Sequence, residues 1–342
     1  MASLVPALDR LLGPLAPGRQ AARSAPKPLS IVVFAASGDQ GRSACHSLVA
    51  DGGFVVTGIT EEPFGEVAVA LKHEGVKIVK GKMDDPGSYT PYLEGMDGAF
   101  VNADFLNSFH HLGPNLPKAL TLEIKQSIQA VEACGRAGIK HVVYSALDDL
   151  PEEVEVPHCA SKAAVVKHIR TSSLPATILY PSHPFSDLIA WDLLRERPRF
   201  DGQGSGGPKW YVLAVPAPDE CEIPGYAVEQ IGDWVKVAFQ KPGKWIGQDM
   251  KVCGEILSVE EMAKHLSKIS KKQVETLHLT KEEFYQPKHR ARVGDAMWAQ
   301  YRACLEDQFV RDESKSEAIV PHQWRFVQWA GQSKDVHRIL EF

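Results

Sequence analysis

The sequence predicts an α/β fold: a doubly wound parallel sheet with helices on both faces, followed by a smaller mixed α/β lobe. Three observations lead there. Six short apolar runs are each bounded by Gly, Pro or Asp, as in strands buried on both faces. Stretches of helical length alternate with these runs, which is the rhythm of βαβ units. Beyond residue 181 the rhythm breaks and the pattern becomes mixed.

Taken in order, residues 1–28 stand apart. They hold Pro6, Pro14, Pro17, Pro26 and Pro28, and Arg10, Arg19, Arg23 and Lys27 against one acid, Asp9. The prolines interrupt any amphipathic helix, so a disordered tail is expected. The basic, acid-poor composition also leaves organelle targeting open. Residues 29–184 are read as the core, with strands at 30–35, 54–59, 76–80, 98–102, 140–145 and 175–180. Helices are read at 40–51, 65–73, 87–94, 118–137 and 158–172. The fourth helix is the most regular. Leu120, Ile124, Ile128, Val131 and Cys134 share one stripe, and Gly138 lies beyond its end.

Residues 185–342 are expected to form the smaller lobe over the carboxyl ends of the strands, some segments returning to the core. GQGSGGP at 202–208 reads as a turn between WDLLRERPRF and the strand-like WYVLAVP. Capping boxes at Ser258 with Glu261 and Thr280 with Glu283 mark two later helices. Ligands of open α/β sheets bind in the crevice at those carboxyl ends.

Composition narrows the class of function. With 342 residues and 44% hydrophobic content, the chain can bury a large core. Its net charge of −5 argues against direct nucleic-acid binding. No apolar run reaches the roughly 18 residues of a membrane span. The six cysteines are scattered without a CxxC pair, which favours reduced thiols in the cytoplasm, with a nuclear location also open. The oligomeric state is left open.

The stretch IVVFAASGDQGRSA (31–44) is the strongest local signal. Ser37-Gly38-Asp39-Gln40-Gly41 follows a strand and opens a helix, the setting in which backbone N–H groups face a bound anion. Ala35 stands where a first glycine is usual, a mild substitution if its φ is negative. Gly38 permits close approach of a ligand, and Gly41 lets the helix pack on the strand. A dinucleotide turn is expected from Ala35 through Arg42.

AASGDQGRSA resembles the G-A-T-G-x-Q-G motif of the NmrA-like family, an atypical branch of the short-chain dehydrogenase/reductase superfamily. The likeness continues in the family's order through DGAFVNADF (97–105), Glu123-Ile124-Lys125-Gln126 and KHVVYSAL (140–147). His158 through Lys162, LPATILYP (174–181), Gly247-Gln248 and the Ser258 helix follow. The resemblance implies a Rossmann core that binds NAD(P), with Asn102, Ala103 and Pro181 among the cofactor contacts. It also implies a redox-sensing or regulatory protein that reads nicotinamide state through a partner. The alternative it implies is an NAD(P)H-dependent oxidoreductase that reduces a quinone, enone, imine or carbonyl.

Two departures from the family pattern bear on this. The family usually prefers NADP through an arginine after the second strand, where this chain has Glu61 and Glu62. Carboxylates there repel a 2′-phosphate, so the residues lean to NAD, with Arg42 able to offset part of the repulsion. Superfamily enzymes pair a serine after the fifth strand with Tyr-x-x-x-Lys. Ser145 and Lys162 are present, but the tyrosine position is His158. An imidazole can pass a proton near neutral pH, and Lys162 can hold the ribose. The missing tyrosine favours the regulatory reading, with the irregular residues 185–225 as a partner surface.

Other features read weakly. His183 is a candidate substrate contact. His110-His111 lacks partners at metal-ligand spacing, so no metal is expected. Cys159 points away from His158, and Asp148-Asp149 with Glu152-Glu153-Glu155 reads as a solvated acidic loop.

Overall fold

The computed structural model describes residues 27–103, 116–154, 156–197 and 209–342. The tail before residue 27, His110-His111, Glu155 and the turn at 202–208 lie outside the described residues. The core strands are β1 (Leu29–Val33), β2 (Phe54–Thr60), β3 (Lys77–Lys80), β4 (Gly98–Val101), β5 (His141–Ser145) and β6 (Ala176–Tyr180). Beyond them come β7 (His183–Pro184), β8 (Leu194–Glu196), β9 (Trp210–Leu213), β10 (Glu222–Tyr226), β11 (Asp249–Lys251), β12 (Glu255–Ser258) and β13 (Gln273–Glu275).

The main sheet runs β11-β6-β5-β4-β1-β2-β3, and every pairing in it is parallel. The order reverses direction between β1 and β4, which opens the crevice where open α/β sheets hold ligands. Two three-stranded sheets, β12-β10-β7 and β13-β9-β8, form the lobe.

The core helices are α1 (Asp39–Asp51), α2 (Glu66–Glu74), α3 (Pro86–Tyr89), α4 (Leu116–Arg136) and α5 (Pro157–Thr171). Later helices are α6 (Asp187–Ala190), α7 (Ile231–Gln240), α8 (Pro242–Trp245), α9 (Val259–Ser270), α10 (Lys281–Phe284), α11 (Pro287–Val293) and α12 (Asp295–Leu305). The chain closes with α13 (Glu313–Ile319), α14 (Phe326–Gln332) and α15 (Lys334–Leu340). Both expected capping boxes form, opening α9 and α10.

Each face of the sheet has its own apolar core. Ile31, Val33 and Phe100 pack with Leu48 of α1 and with Trp234 and Phe239 of α7. Val32, Phe34 and Tyr144 pack with Val131 of α4 and Val165 of α5. A third core, around Phe185, Phe284, Phe326 and Trp329, belongs to the lobe. The helix α7 lies so close on α1 that a Cβ at Gly232 would stand 2.1 Å from the Ser43 carbonyl oxygen. Among the described residues no helix is long and apolar enough to cross a membrane.

Two elements differ from expectation. The stretch 87–94 is the single turn α3 followed by a 3-10 turn at Thr90–Tyr92, because Pro86 and Pro91 each restart the chain. In α4 the buried face is Ala119, Glu123, Ser127, Ala130 and Cys134, while Leu120, Ile124 and Ile128 are only half-buried. Small residues at helical spacing bring α4 close to α5, and the buried carboxylate of Glu123 finds polar partners there.

Candidate functional site: the crevice at the end of the sheet

After β1 the chain turns over the sheet edge. The Ala36 N–H donates to the Ile59 carbonyl at 2.9 Å, and the Gly38 N–H closes the turn onto the Ala35 carbonyl at 3.0 Å. Ala35 has φ +48°, so the condition under which alanine would be a mild substitute is not met. The bend needs the left-handed conformation that glycine supplies freely, and alanine there costs about 1 kcal/mol.

Gly41 is a steric necessity. A Cβ there would lie 2.1 Å from the Ala35 carbonyl oxygen and 2.9 Å from the Ala36 Cα. Gly38 is different: a Cβ would meet only the Ala35 oxygen at 3.4 Å, so its outer side is open. Among the described residues no side chain caps α1, so its first-turn N–H groups face the crevice mouth without a side-chain acceptor there. An open glycine, an uncapped helix N-terminus and the strand-order reversal fit the diphosphate of a dinucleotide.

At the end of β2, Ser37 Oγ and Thr60 Oγ1 share a hydrogen bond of 2.6 Å, and the Glu62 N–H donates to the same Thr60 oxygen. Glu61 stands 3.7 Å from the Lys82 ammonium, a cation that the residue order did not reveal. Arg42, which could offset part of the Glu61 charge, pairs with Asp39 at 3.1 Å. Arg42 and Asp39 sit three apart on α1, which makes that pair the local choice.

The middle of the crevice is formed by the ends of β4 and β5. Ser145 is buried and donates to Gln40 Oε1 at 2.7 Å, tying β5 to the start of α1. Asn102 is half-buried and Ala103 buried. The Ala103 carbonyl accepts from Lys162 Nζ at 2.9 Å. That ammonium also lies 3.2 Å from Glu123 Oε1, and both side chains are almost wholly buried. Ser161 Oγ donates to the other Glu123 oxygen. The cation expected to face the ribose is thus neutralised inside the protein, with Tyr144 packed against it. Glu123 was visible only as part of a motif, and its spacing did not reveal its partner.

The far end gathers residues from distant segments. His158 Nε2 lies 2.8 Å from Gln300 Oε1, and the Gln300 amide nitrogen contacts His183 Nε2. Burial pushes the His158 imidazole below its ordinary value and His183 down to about 4. Both rings are therefore neutral at physiological pH. Burial also raises the thiols of Cys159 and Cys304, so neither is a thiolate there.

The solvated reading of Asp148 is corrected. It is buried and takes both ends of the Arg311 guanidinium at 2.9 and 2.6 Å. Arg311 also donates to the Pro181 carbonyl at 3.1 Å. Burial pushes the Asp148 carboxyl up, but Arg311 and Lys251 outweigh it and hold the carboxyl below the usual range. The pair fastens the lobe segment before α13 to the ends of β5 and β6.

Asp187 of α6 was missed altogether. It is half-buried, its carboxyl has no hydrogen bond or ion pair among the described residues, and that carboxyl is pushed up to about 7 by burial and by Asp39. The fully buried Tyr226 feels both carboxylates. Among the described residues no cluster of metal-ligating side chains occurs.

Comparison with known proteins agrees with this architecture. The sequence model of the NmrA-like family matches residues 28–313. An NmrA-like family domain-containing oxidoreductase, hkm9 of Aspergillus hancockii, is 23% identical over 70% of this chain and 72% of its own. The oxidoreductase malD of Malbranchea aurantiaca is 26% identical over 70% and 72%. NmrA, a negative transcriptional regulator solved in complex with NAD, superposes with TM-score 0.69 at 18% identity, covering 90% of this chain and 95% of that one. Triphenylmethane reductase of Citrobacter sp., complexed with NADP(H), gives TM-score 0.65 at 19% identity over 89% and 99%.

Proposed function

Because this chain belongs to the NmrA-like family, we propose that its crevice binds a nicotinamide dinucleotide and that the protein acts by sensing or regulation. The open, uncapped turn at Gly38 carries the first half of this reading. Main-chain N–H groups of Ser37 and of Asp39–Gly41 would hold the diphosphate. Glu61, Lys82 and Arg42 would surround the adenosine ribose. Asn102 and Ala103 would line the middle, and Pro181 and His183 the nicotinamide end. A bound nicotinamide supplies a hydride donor or acceptor.

The second half rests on how the three proton-handling positions are used. Ser145 donates to Gln40, His158 meets Gln300, and Lys162 is held by Glu123 and the Ala103 carbonyl. Each is engaged inside the protein, which supports occupancy of the crevice as the signal and a partner protein as its reader. Six unpaired, buried cysteines support a cytoplasmic place for it.

Titration calorimetry with NAD+, NADH, NADP+ and NADPH tests this reading. Binding is expected, without steady turnover of a quinone or carbonyl. Failure to bind any of the four sinks it. Glu61 supports a lean to NAD, so Glu61→Arg is expected to improve NADP(H) affinity about tenfold, or 1.4 kcal/mol.

Asp187 favours a second reading, an oxidoreductase. A partnerless carboxyl pushed up to about 7 keeps a proton near neutral pH and can donate it as hydride reaches an acceptor. Turnover that disappears in Asp187→Asn but survives in His158→Gln would replace the first reading with this one.

A further inference from the structure

Gln300 belongs to α12, a lobe helix, yet it is buried between two imidazoles at the edge of the core. The hydrogen bonds around it admit one self-consistent arrangement. His183 Nδ1 lies 3.2 Å from the Pro224 carbonyl oxygen. A carbonyl only accepts, so Nδ1 carries the hydrogen. The ring is neutral at physiological pH, so its Nε2 must accept. The Gln300 amide nitrogen is the donor in contact with that Nε2. With the nitrogen so placed, Oε1 faces His158 Nε2, which must therefore donate. A flipped amide would set an oxygen against the lone pair of His183.

We propose that Gln300 is the positioning residue of the nicotinamide end of the crevice: it fixes His158 as the Nε2–H tautomer and His183 as the Nδ1–H tautomer. A lobe helix thereby becomes part of the wall of the core site. Cys304, one turn further along α12, lies 3.8 Å from His183 Nε2, so two successive residues on one helix face meet that ring. His158 stands where the superfamily has its tyrosine, and its Nε2 hydrogen is committed to Gln300. The hydrogen-bonding argument is independent of the ligand. The location at a nicotinamide end rests on the dinucleotide reading.

Charged and titratable neighbours set the background for a titration. His158 is influenced by Glu123 and Lys162, and His183 by Arg311, His158 and Asp148. These are the same in wild type and in Gln300→Met, so a difference between those two reports on the amide, whereas Gln300→Glu adds a charge of its own.

The test is long-range proton–nitrogen NMR of the full chain with ¹⁵N-labelled histidine, the signals assigned by single His→Gln replacements. In wild type at pH 7, opposite neutral tautomers are expected at positions 158 and 183, with His183 titrating at about 4. An ionised carboxylate in Gln300→Glu offers only acceptors, so with that carboxyl charged His183 Nε2 takes a proton and its titration should rise by about two pH units. Gln300→Met should leave His158 as mixed tautomers, while His183 stays Nδ1–H on the Pro224 carbonyl. A wild-type His158 found as Nδ1–H overturns the proposal even if no variant folds, and so does a His158 that keeps a single tautomer in Gln300→Met. With NADH or NADPH added, signals at 158 or 183 should shift. If calorimetry registers binding while both stay still, the location is wrong. If calorimetry registers no binding, the dinucleotide reading falls instead.

Discussion

At one end of the crevice the important groups are main chain from one continuous stretch, Ala35–Gly41. At the other they are side chains from segments far apart, with Gln300 lying 142 residues from His158 and 117 from His183. The first end works by backbone geometry. It holds Ala35 in the left-handed conformation that the turn requires. The second end works by reciprocal commitment: His158 and His183 both meet Gln300 because a lobe helix docks against the core. A site of the first kind should survive side-chain changes that do not touch the backbone. A site of the second kind should fail when one partner is removed.

Lys162→Met applies the hardest pressure to this contrast. It strands Glu123 in a buried position, and a loss of about 3–5 kcal/mol in chemical denaturation is expected. Adding Glu123→Leu should recover much of that loss, and a double variant as unstable as the single one would contradict the pairing.

Gly41→Ala comes next and tests the backbone end. The new methyl would overlap the main chain of residues 35 and 36, which cannot give way like a flexible side chain. A loss of roughly 3 kcal/mol is expected, together with loss of dinucleotide binding. Normal stability and binding would mean that α1 does not depend on that close approach.

Asp187→Asn acts where the two ends meet. The folded carboxyl sits at about 7, above its unfolded value of about 3.9, so the native state holds the extra proton between these limits. Stability from this group is full below the lower limit and lost as pH rises through about 7. The variant should therefore match wild type at pH 4 and exceed it at pH 8, by about 1 kcal/mol after solvent screening. Thermal melts at the two pH values decide this, and an equal gap at both would remove Asp187 from the account.

The smallest effect belongs to Ala35→Gly. Relief of the left-handed alanine is partly offset by the greater freedom of glycine in the unfolded chain. A gain under about 1 kcal/mol is expected. Destabilisation would show that the Ala35 methyl makes packing contacts worth more than the strain.

Some of this was present in the residues alone. Alternating apolar runs and helix-length stretches determined the parallel sheet, because strands buried on both faces and their crossover helices obey local periodicities. SGDQG after a strand determined the turn, and the spacing of Ser258 with Glu261 determined a helix start, since these patterns act within a few residues. Tertiary structure decided what each polar side chain does. Lys162 faces Glu123, Glu61 faces Lys82, Asp148 faces Arg311, and His158 faces Gln300. Their partners are separated by many residues, and no periodicity encodes which groups a docked lobe will bring within 3 or 4 Å. Even Ala35 follows this division: its position in the motif was legible, but its left-handed angle came from closing the turn over the sheet. Short-range order follows from backbone geometry that neighbouring residues share. The pairing of buried charges follows from desolvation, which exists only once the chain has packed.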